Sequence, residues 1–263
     1  MPELPEVETI KRSLAPKIIG KIIREVKIYL PKIVKNTDLE EFTRRVTGKT
    51  IESLKRRGKY LLIGLAGGEI LTVHLRMTGK LLVLPRGTPK DKHTHAIFDL
   101  GDVELHFNDI RQFGGFSFDL PKLGPEPLEE AFTLTYLKEK LNPSKKNLKA
   151  FLLDQKIIAG IGNIYADEIL FAAGLSPKRL AATLTEVEAE KLYNAIRAVL
   201  NLGIKHRGTS IRDYVDSENR QGGFQHLLKV YGKSGALCIR CNSKIIRERH
   251  AGRSTHFCPN CQK

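Results

Sequence analysis

Met1-Pro-Glu-Leu-Pro-Glu-Val-Glu-Thr-Ile10 opens a chain of 263 residues. Chain ends are ordinarily frayed and carry little information. Here Val7, Ile10, Leu14 and Ile18 recur three or four apart, which predicts a helix buried along one face from its first turn. Pro5 suits that first turn, and Glu6 and Glu8 stand where the positive end of a helix favours anions. The start is therefore anchored to a core. If Met1 is removed, the new terminus is the secondary amine of Pro2 with the carboxylate of Glu3 beside it, a nucleophile next to an acid.

Outward from this helix the pattern becomes short and alternating. Strands are predicted at Lys21–Leu30, Lys59–Leu65, Ile70–Leu75, Lys80–Leu84, His95–Leu100, Val103–Asn108 and Gly115–Phe118, punctuated by Gly67-Gly68, Thr78-Gly79, Pro85-Arg-Gly87 and Gly101-Asp102. Strands at this spacing predict a β-sandwich or barrel with the opening helix packed on it. The proline-rich stretch Asp119–Leu128 cannot continue a strand and marks a domain boundary. Beyond it the period is helical. Helices are predicted over Leu128–Leu141, from a Ser144 cap to about Gln155, from Asn163 to before Gly174, and from the capping box Thr185-x-x-Glu188 to Gly203. Arg207–Phe224 is polar and glycine-rich and reads as a long mobile loop.

The charge balance narrows the partners. With 44 Lys+Arg against 29 Asp+Glu, the formal charge is +15, spread over the whole chain, and a polyanion such as nucleic acid is the expected partner. No apolar run approaches the roughly 18 residues that would span a bilayer. The acidic, proline-broken start is not a signal peptide. A cytoplasmic protein without membrane partners is expected.

All four cysteines lie in the last 26 residues, as Cys238-x-x-Cys241, sixteen intervening residues, then Cys258-x-x-Cys261. This is zinc-ribbon spacing, and four thiolates close a tetrahedral site with no open position, so one structural Zn2+ is expected; a redox dithiol pair is the competing reading. Between the ligands, 244–257 reads as two strands joined around Ala251-Gly252. Arg253 then projects from a rigid hairpin, either toward DNA or simply into solvent.

Other motifs are less specific. Gly160-Ile-Gly-Asn163 fails as a dinucleotide loop because Tyr165 occupies the third glycine position and a helix precedes it, so no nucleotide cofactor is expected. It reads better as a tight turn feeding a helix N-terminus, with Asn163 a helix cap or a phosphate contact. Lys55-Arg-Arg-Gly-Lys-Tyr60 is a cationic run before a strand, in which Lys59 already falls inside the strand pattern. His93-x-His95 suggests a metal but lacks a third ligand, leaving a phosphate contact or a plain surface pair. Met77, Arg111 and Phe113 sit in or beside turns, where bulky side chains have less core to fill.

A terminal amine suits covalent catalysis. Its reference pKa is about 7.7–8.0 against about 10.4 for lysine, so roughly a tenth is unprotonated at pH 7. A secondary amine can attack a sugar C1′ and leave a cationic iminium.

Together, Met1-Pro-Glu-Leu-Pro-Glu-Val-Glu8, Lys59, Gly160-x-Gly-Asn163-Ile-Tyr165 and the four-cysteine tail resemble the formamidopyrimidine-DNA glycosylase family, bacterial 8-oxoguanine repair enzymes, in order over essentially the whole chain. The resemblance implies an α+β multidomain protein: an N-terminal β-sandwich with a packed N-terminal helix (1–120), a helix–two-turns–helix bundle (128–228) and a C-terminal zinc-ribbon hairpin (229–263). It implies a monomeric glycosylase and abasic-site lyase acting on damaged double-stranded DNA, with excision of oxidised purines followed by β,δ-elimination. By this resemblance Pro2 is the Schiff-base nucleophile and Glu3 the acid that protonates the sugar. Lys59 transfers a proton in β-elimination, and Arg253 serves δ-elimination and phosphate binding. His93, Arg111, Lys149 and Asn163 match DNA-contacting positions, and Met77, Arg111 and Phe113 match the wedge that fills the stack once the damaged nucleotide is flipped out. The loop 207–224 matches the segment that closes over that base. Two rivals stand beside it: an endonuclease VIII-like glycosylase for oxidised pyrimidines, and a non-enzymatic zinc-ribbon DNA-binding protein, which leaves the N-terminus without a role.

Overall fold

The computed structural model describes residues 1–211, 214–250 and 252–263. They fall into two compact units, Met1–Pro121 with His206–Gly223, and Lys122–Lys205 with Phe224–Lys263.

In the first unit, helix α1 (Leu4–Ile18) buries the predicted stripe: Val7, Ile10, Leu14 and Ile18 are at most 1% exposed. It packs on an antiparallel sandwich. One sheet runs β1 (Glu25–Ile28), β6 (Thr94–Asp99), β7 (Val103–Asp109), β5 (Gly79–Pro85). The other runs β2 (Ile51–Arg57), β3 (Tyr60–Leu65), β4 (Ile70–His74), β8 (Gly115–Ser117). Alternate residues of both sheets meet in one core with Phe116 at its centre, its ring 5.0 Å from Phe107, 5.2 Å from Phe98 and 6.0 Å from Phe42. Phe42 comes from α2 (Leu39–Val46), capped by Asp38, whose Oδ1 accepts from Glu41 N–H at 2.8 Å.

Several boundaries differ from the sequence expectation. The strand predicted over Lys21–Leu30 shrinks to β1, because Ile22 instead bridges to Thr50. Lys55, Arg56 and Arg57 lie inside β2 rather than before a strand, and Lys59 lies in the turn after it, outside β3. The segment 207–224 is fastened to α1 where it is described. Thr209 N–H donates to Glu6 Oε1 (2.6 Å), Ser217 Oγ to Ser13 Oγ (2.8 Å), and Lys17 pairs with Glu218 (2.7 Å). Glu6, Ser13 and Lys17 are seven and four apart, one stripe of a helix. Arg212 and Asp213, within this predicted loop, and Ala251, in the predicted hairpin turn, lie outside the described residues.

The second unit holds α3 (Leu134–Leu141), α4 (Leu148–Leu153), α5 (Asn163–Ala173), α6 (Glu186–Lys205) and the hairpin β9 (Ile246–His250) with β10 (Arg253–Phe257). The helix predicted from Leu128 begins only at Leu134, because Thr133 takes the cap and accepts from Tyr136 N–H at 3.0 Å. Asn147, not Ser144, caps α4, accepting from Ala150 N–H at 2.8 Å, and α4 ends before Asp154. The capping box holds: Thr185 N–H donates to Glu188 Oε2 (2.8 Å) and Glu188 N–H to Thr185 Oγ1 (3.3 Å). α6 runs past the predicted Gly203 stop to Lys205.

Candidate active site and nucleic-acid interface

The N-terminus is held by its own helix. Pro2 and Glu3 are buried, and Glu3 is the N-cap of α1. Glu6 reaches back so that its Oε2 accepts from Glu3 N–H at 2.8 Å, while its Oε1 takes Thr209 N–H. One buried carboxylate thus fixes the backbone that carries Pro2 and joins it to the 207–223 segment. Removal of Met1 leaves the Pro2 nitrogen as a free secondary amine.

Lys59 is the second residue of a two-residue turn, Gly58-Lys59, closed by the pair Arg57↔Tyr60. Glycine at the first position, with φ +56, is what such a hairpin turn requires. The turn holds Lys59 at only 7% exposure. Arg56 ties this turn to α1: Nε donates to Glu8 Oε2 (3.1 Å) and Nη1 to Gly58 O (3.2 Å). Burial pushes the Glu8 carboxyl up, but hydrogen bonds from Lys11, Arg12 and Arg56 outweigh it and hold the group below its usual value.

Met77 and Arg111 come together from two connections, β4–β5 and β7–β8, and Phe113 lies on the second of these. Met77 and Phe113 are 41% and 59% exposed, and Arg111 Nη1 touches Met77 Sδ at 2.8 Å. Asp109, fully buried, locks the two loops. One oxygen accepts from Thr78 Oγ1, the other from Gly114 N–H (2.8 Å), and Arg111 N–H donates to Thr78 Oγ1 (3.0 Å). Beside them His74 accepts on Nδ1 from Arg76 N–H (2.9 Å), which keeps that nitrogen unprotonated. Burial first, and then the charges of Arg76 and Lys59, push His74 down to about 3. His93 lies in a turn, partly exposed, while His95 is buried and bonds the Asp109 carbonyl (2.8 Å), so the two histidines do not share a ligand. Sequence reasoning missed Asp109 and Thr78. The only signal was an acid at a strand end, which is too common to read.

In the second unit, Asn163 is the first residue of α5 but not its cap, which is Gly162. Its Nδ2 donates to Ser254 O at 2.9 Å, next to the exposed Arg253. Lys149 has no exposed side-chain surface; its ammonium donates to Asp167 Oδ1 (2.6 Å) and Asn163 O (2.9 Å). Glu168, next along α5, accepts from the N–H groups of Lys229, Val230 and Tyr231 at 2.8–2.9 Å. Burial nonetheless raises its pKa above the ordinary carboxyl value.

Cys238, Cys241, Cys258 and Cys261 place their sulfurs within 4.8 Å of one another, the only such group among the described residues. The Cys238–Cys261 and Cys241–Cys258 sulfurs are 3.8 and 3.5 Å apart. Tetrahedral zinc with bonds of about 2.3 Å sets its sulfurs about 3.8 Å apart. The four thiols fit one Zn2+, with no position left for a reacting ligand. No helix among the described residues is long and apolar enough to cross a membrane.

Comparison with known proteins covers the whole chain. Residues 1–116 match the formamidopyrimidine-DNA glycosylase N-terminal domain, 123–215 the H2TH domain of the same enzymes, and 235–263 a zinc finger found in FPG and IleRS. The formamidopyrimidine-DNA glycosylase of Carboxydothermus hydrogenoformans is 76% identical over 263 residues, all of both chains. A Lactococcus lactis FPG mutant, solved with DNA containing Fapy-dG, superposes with a TM-score of 0.94 at 39% identity over all of both chains. The wild-type Lactococcus lactis protein, solved with DNA containing an oxidised pyrimidine, gives 0.93 at 38% over the same span. These matches define the class as DNA repair glycosylases with a structural zinc finger. Within that class, the chain belongs to the formamidopyrimidine-DNA glycosylase family.

Proposed function

We propose that this glycosylase excises oxidised purines, 8-oxoguanine and formamidopyrimidines, from duplex DNA and then cuts the strand by β,δ-elimination, acting as a cytoplasmic monomer. The observation that carries this reading is the buried Pro2–Glu3 pair on a helix cap fixed by Glu6. A nucleophile at a chain end needs such an anchor, because reacting groups must be held near attack geometry. Once Met1 is gone, the Pro2 amine attacks C1′ and displaces the base, and Glu3 then protonates the sugar O4′ so that the C1′–O4′ bond breaks, the ring opens and the iminium forms. Lys59 moves the proton of β-elimination, and Arg253 binds phosphate and serves δ-elimination.

Flipping leaves a gap in the stack that Met77, Arg111 and Phe113 fill. Their exposure on locked loops supports that role, since a wedge must be bare yet rigid. His93 and Asn163 contact the DNA backbone, and the strongly basic chain supplies the long-range attraction. Lys149, paired inside the protein, serves by holding Asn163 rather than by reaching the DNA itself. Functionally the chain divides at 1–120, 128–228 and 229–263. Cys238, Cys241, Cys258 and Cys261 hold the zinc, which supplies folding energy to the ribbon and takes no part in the reaction.

The oxidised-pyrimidine complex of the Lactococcus lactis protein keeps a second substrate class in view. A panel of duplexes carrying 8-oxoguanine, formamidopyrimidine or oxidised thymine separates them. Faster excision of both purine lesions is expected, and preferential excision of the pyrimidine would overturn the assignment.

A further inference from the structure

Helix α5 grips the zinc ribbon through polar side chains. Asn163 and Asp167 are four residues apart and so lie on one face. Asn163 holds Ser254 O, and Asp167 Oδ2 accepts from His256 N–H at 2.8 Å and lies 3.1 Å from His256 Nδ1. Ser254 and His256 are alternate residues of β10, so both bonds act on the same side of the strand. The other Asp167 oxygen takes Lys149 Nζ at 2.6 Å, and both partners of that ion pair are fully buried. Apolar side chains of similar volume would often stabilise such a site as well or better. What a carboxylate adds is acceptor capacity: Asp167 serves the ammonium from α4 with one oxygen, and the backbone and ring of β10 with the other.

We infer that Asp167 is a positioning residue that clamps β10 onto α5 and thereby fixes Arg253, the residue just before Ser254. The inference rests on the role proposed above for Arg253. Zinc cannot do this alone. Arg253 lies five residues from the ligand Cys258, about 16 Å of extended strand at about 3.3 Å per residue. The clamp, at 254 and 256, intervenes between them. A functional side chain must be held to about 0.5 Å, which the free end of a two-stranded hairpin does not provide.

Asp167→Asn tests this, because an amide offers one oxygen where two opposed donor sets need acceptors. His256→Gln is the milder companion: it keeps the Lys149 pair and the backbone bond and deletes only the ring. Zinc content, amide hydrogen exchange in 254–257, and the ratio of δ- to β-elimination products on an abasic duplex are measured for each, in protein lacking Met1. Full zinc content is expected in both. In Asp167→Asn, exchange in β10 should quicken and the δ:β ratio fall, each roughly tenfold, the equivalent of one charge-assisted hydrogen bond. His256→Gln should show the same shifts, smaller. Unaltered β10 exchange in the zinc-loaded variants refutes the clamp. Faster exchange with an unaltered ratio refutes its link to Arg253. Arg253→Gln on the same substrate judges the other premise separately: if it keeps the wild-type ratio, the role of Arg253 itself fails while the exchange still judges the clamp.

Discussion

The helix that carries Pro2 and the hairpin that carries Arg253 are held by opposite means. α1 sinks four aliphatic side chains into a core that both sheets of the sandwich share. The ribbon has almost no such core. Its buried cluster is Phe171, Val230, Ile245 and two of the zinc ligands, Cys238 and Cys258, and β9 has no buried residue. Four thiolates and a ladder of polar bonds from α5 replace it: Asn163, Asp167 and Glu168 on its side, and at its end Arg240, whose Nη1 donates to Phe171 O at 2.8 Å. Small modules that cannot bury enough apolar surface use metals in this way. The difference teaches that one chain end is positioned by the hydrophobic effect and the other by coordination and charge, so the two should fail under different treatments.

The largest difference should come from the metal. Cys238→Ser, or chelation, removes an interaction worth roughly 10–16 kcal/mol in zinc-finger peptides. It should abolish zinc binding and weaken DNA affinity while the sandwich still unfolds cooperatively in urea; unchanged DNA affinity would contradict the ribbon's role. The converse lesion is Leu14→Ala, which should destabilise the first unit by about 2–5 kcal/mol with zinc content untouched. Loss of zinc in that variant would break the contrast.

A smaller effect should follow from pH. The folded value of His74, about 3, lies below its ordinary 6.5, so its neutral form is the one the fold favours. That contribution is full above pH 6.5 and is lost as pH falls from 6.5 toward 3. By linkage it amounts to about 1–2 kcal/mol by pH 5. Urea midpoints at pH 7 and pH 5 should differ less in His74→Gln than in wild type, and an equal loss in both would remove His74 from the acid response.

What the sequence made legible follows the same division. α1 could be read because its apolar stripe and its first-turn proline and acids lie within one window, and the zinc site because two Cys-x-x-Cys units are local. Met77, Arg111 and Phe113 are ordinary one by one and acquire a role only through the family resemblance, because single bulky residues beside turns are common. Partners distant in sequence were invisible. Lys149 looks like any surface lysine until Asp167, eighteen residues on, buries it. Asp109 gains meaning only through Thr78, and the 207–224 segment looked mobile because its ties are to Glu6, Ser13 and Lys17, about two hundred residues away. Lys59 appeared to continue a strand pattern because Gly58, rather than any polar residue, makes the turn.

The central claim is that the anchored N-terminus is the reacting group. Borohydride reduction during turnover of a duplex with 8-oxoguanine opposite cytosine, using protein shown by mass spectrometry to lack Met1, tests it most directly. A covalent protein–DNA adduct mapping to Pro2 is predicted, with Glu3→Gln still binding lesion DNA but no longer releasing the base. An adduct on Lys59 or another lysine, or none at all from fully processed protein, would contradict it.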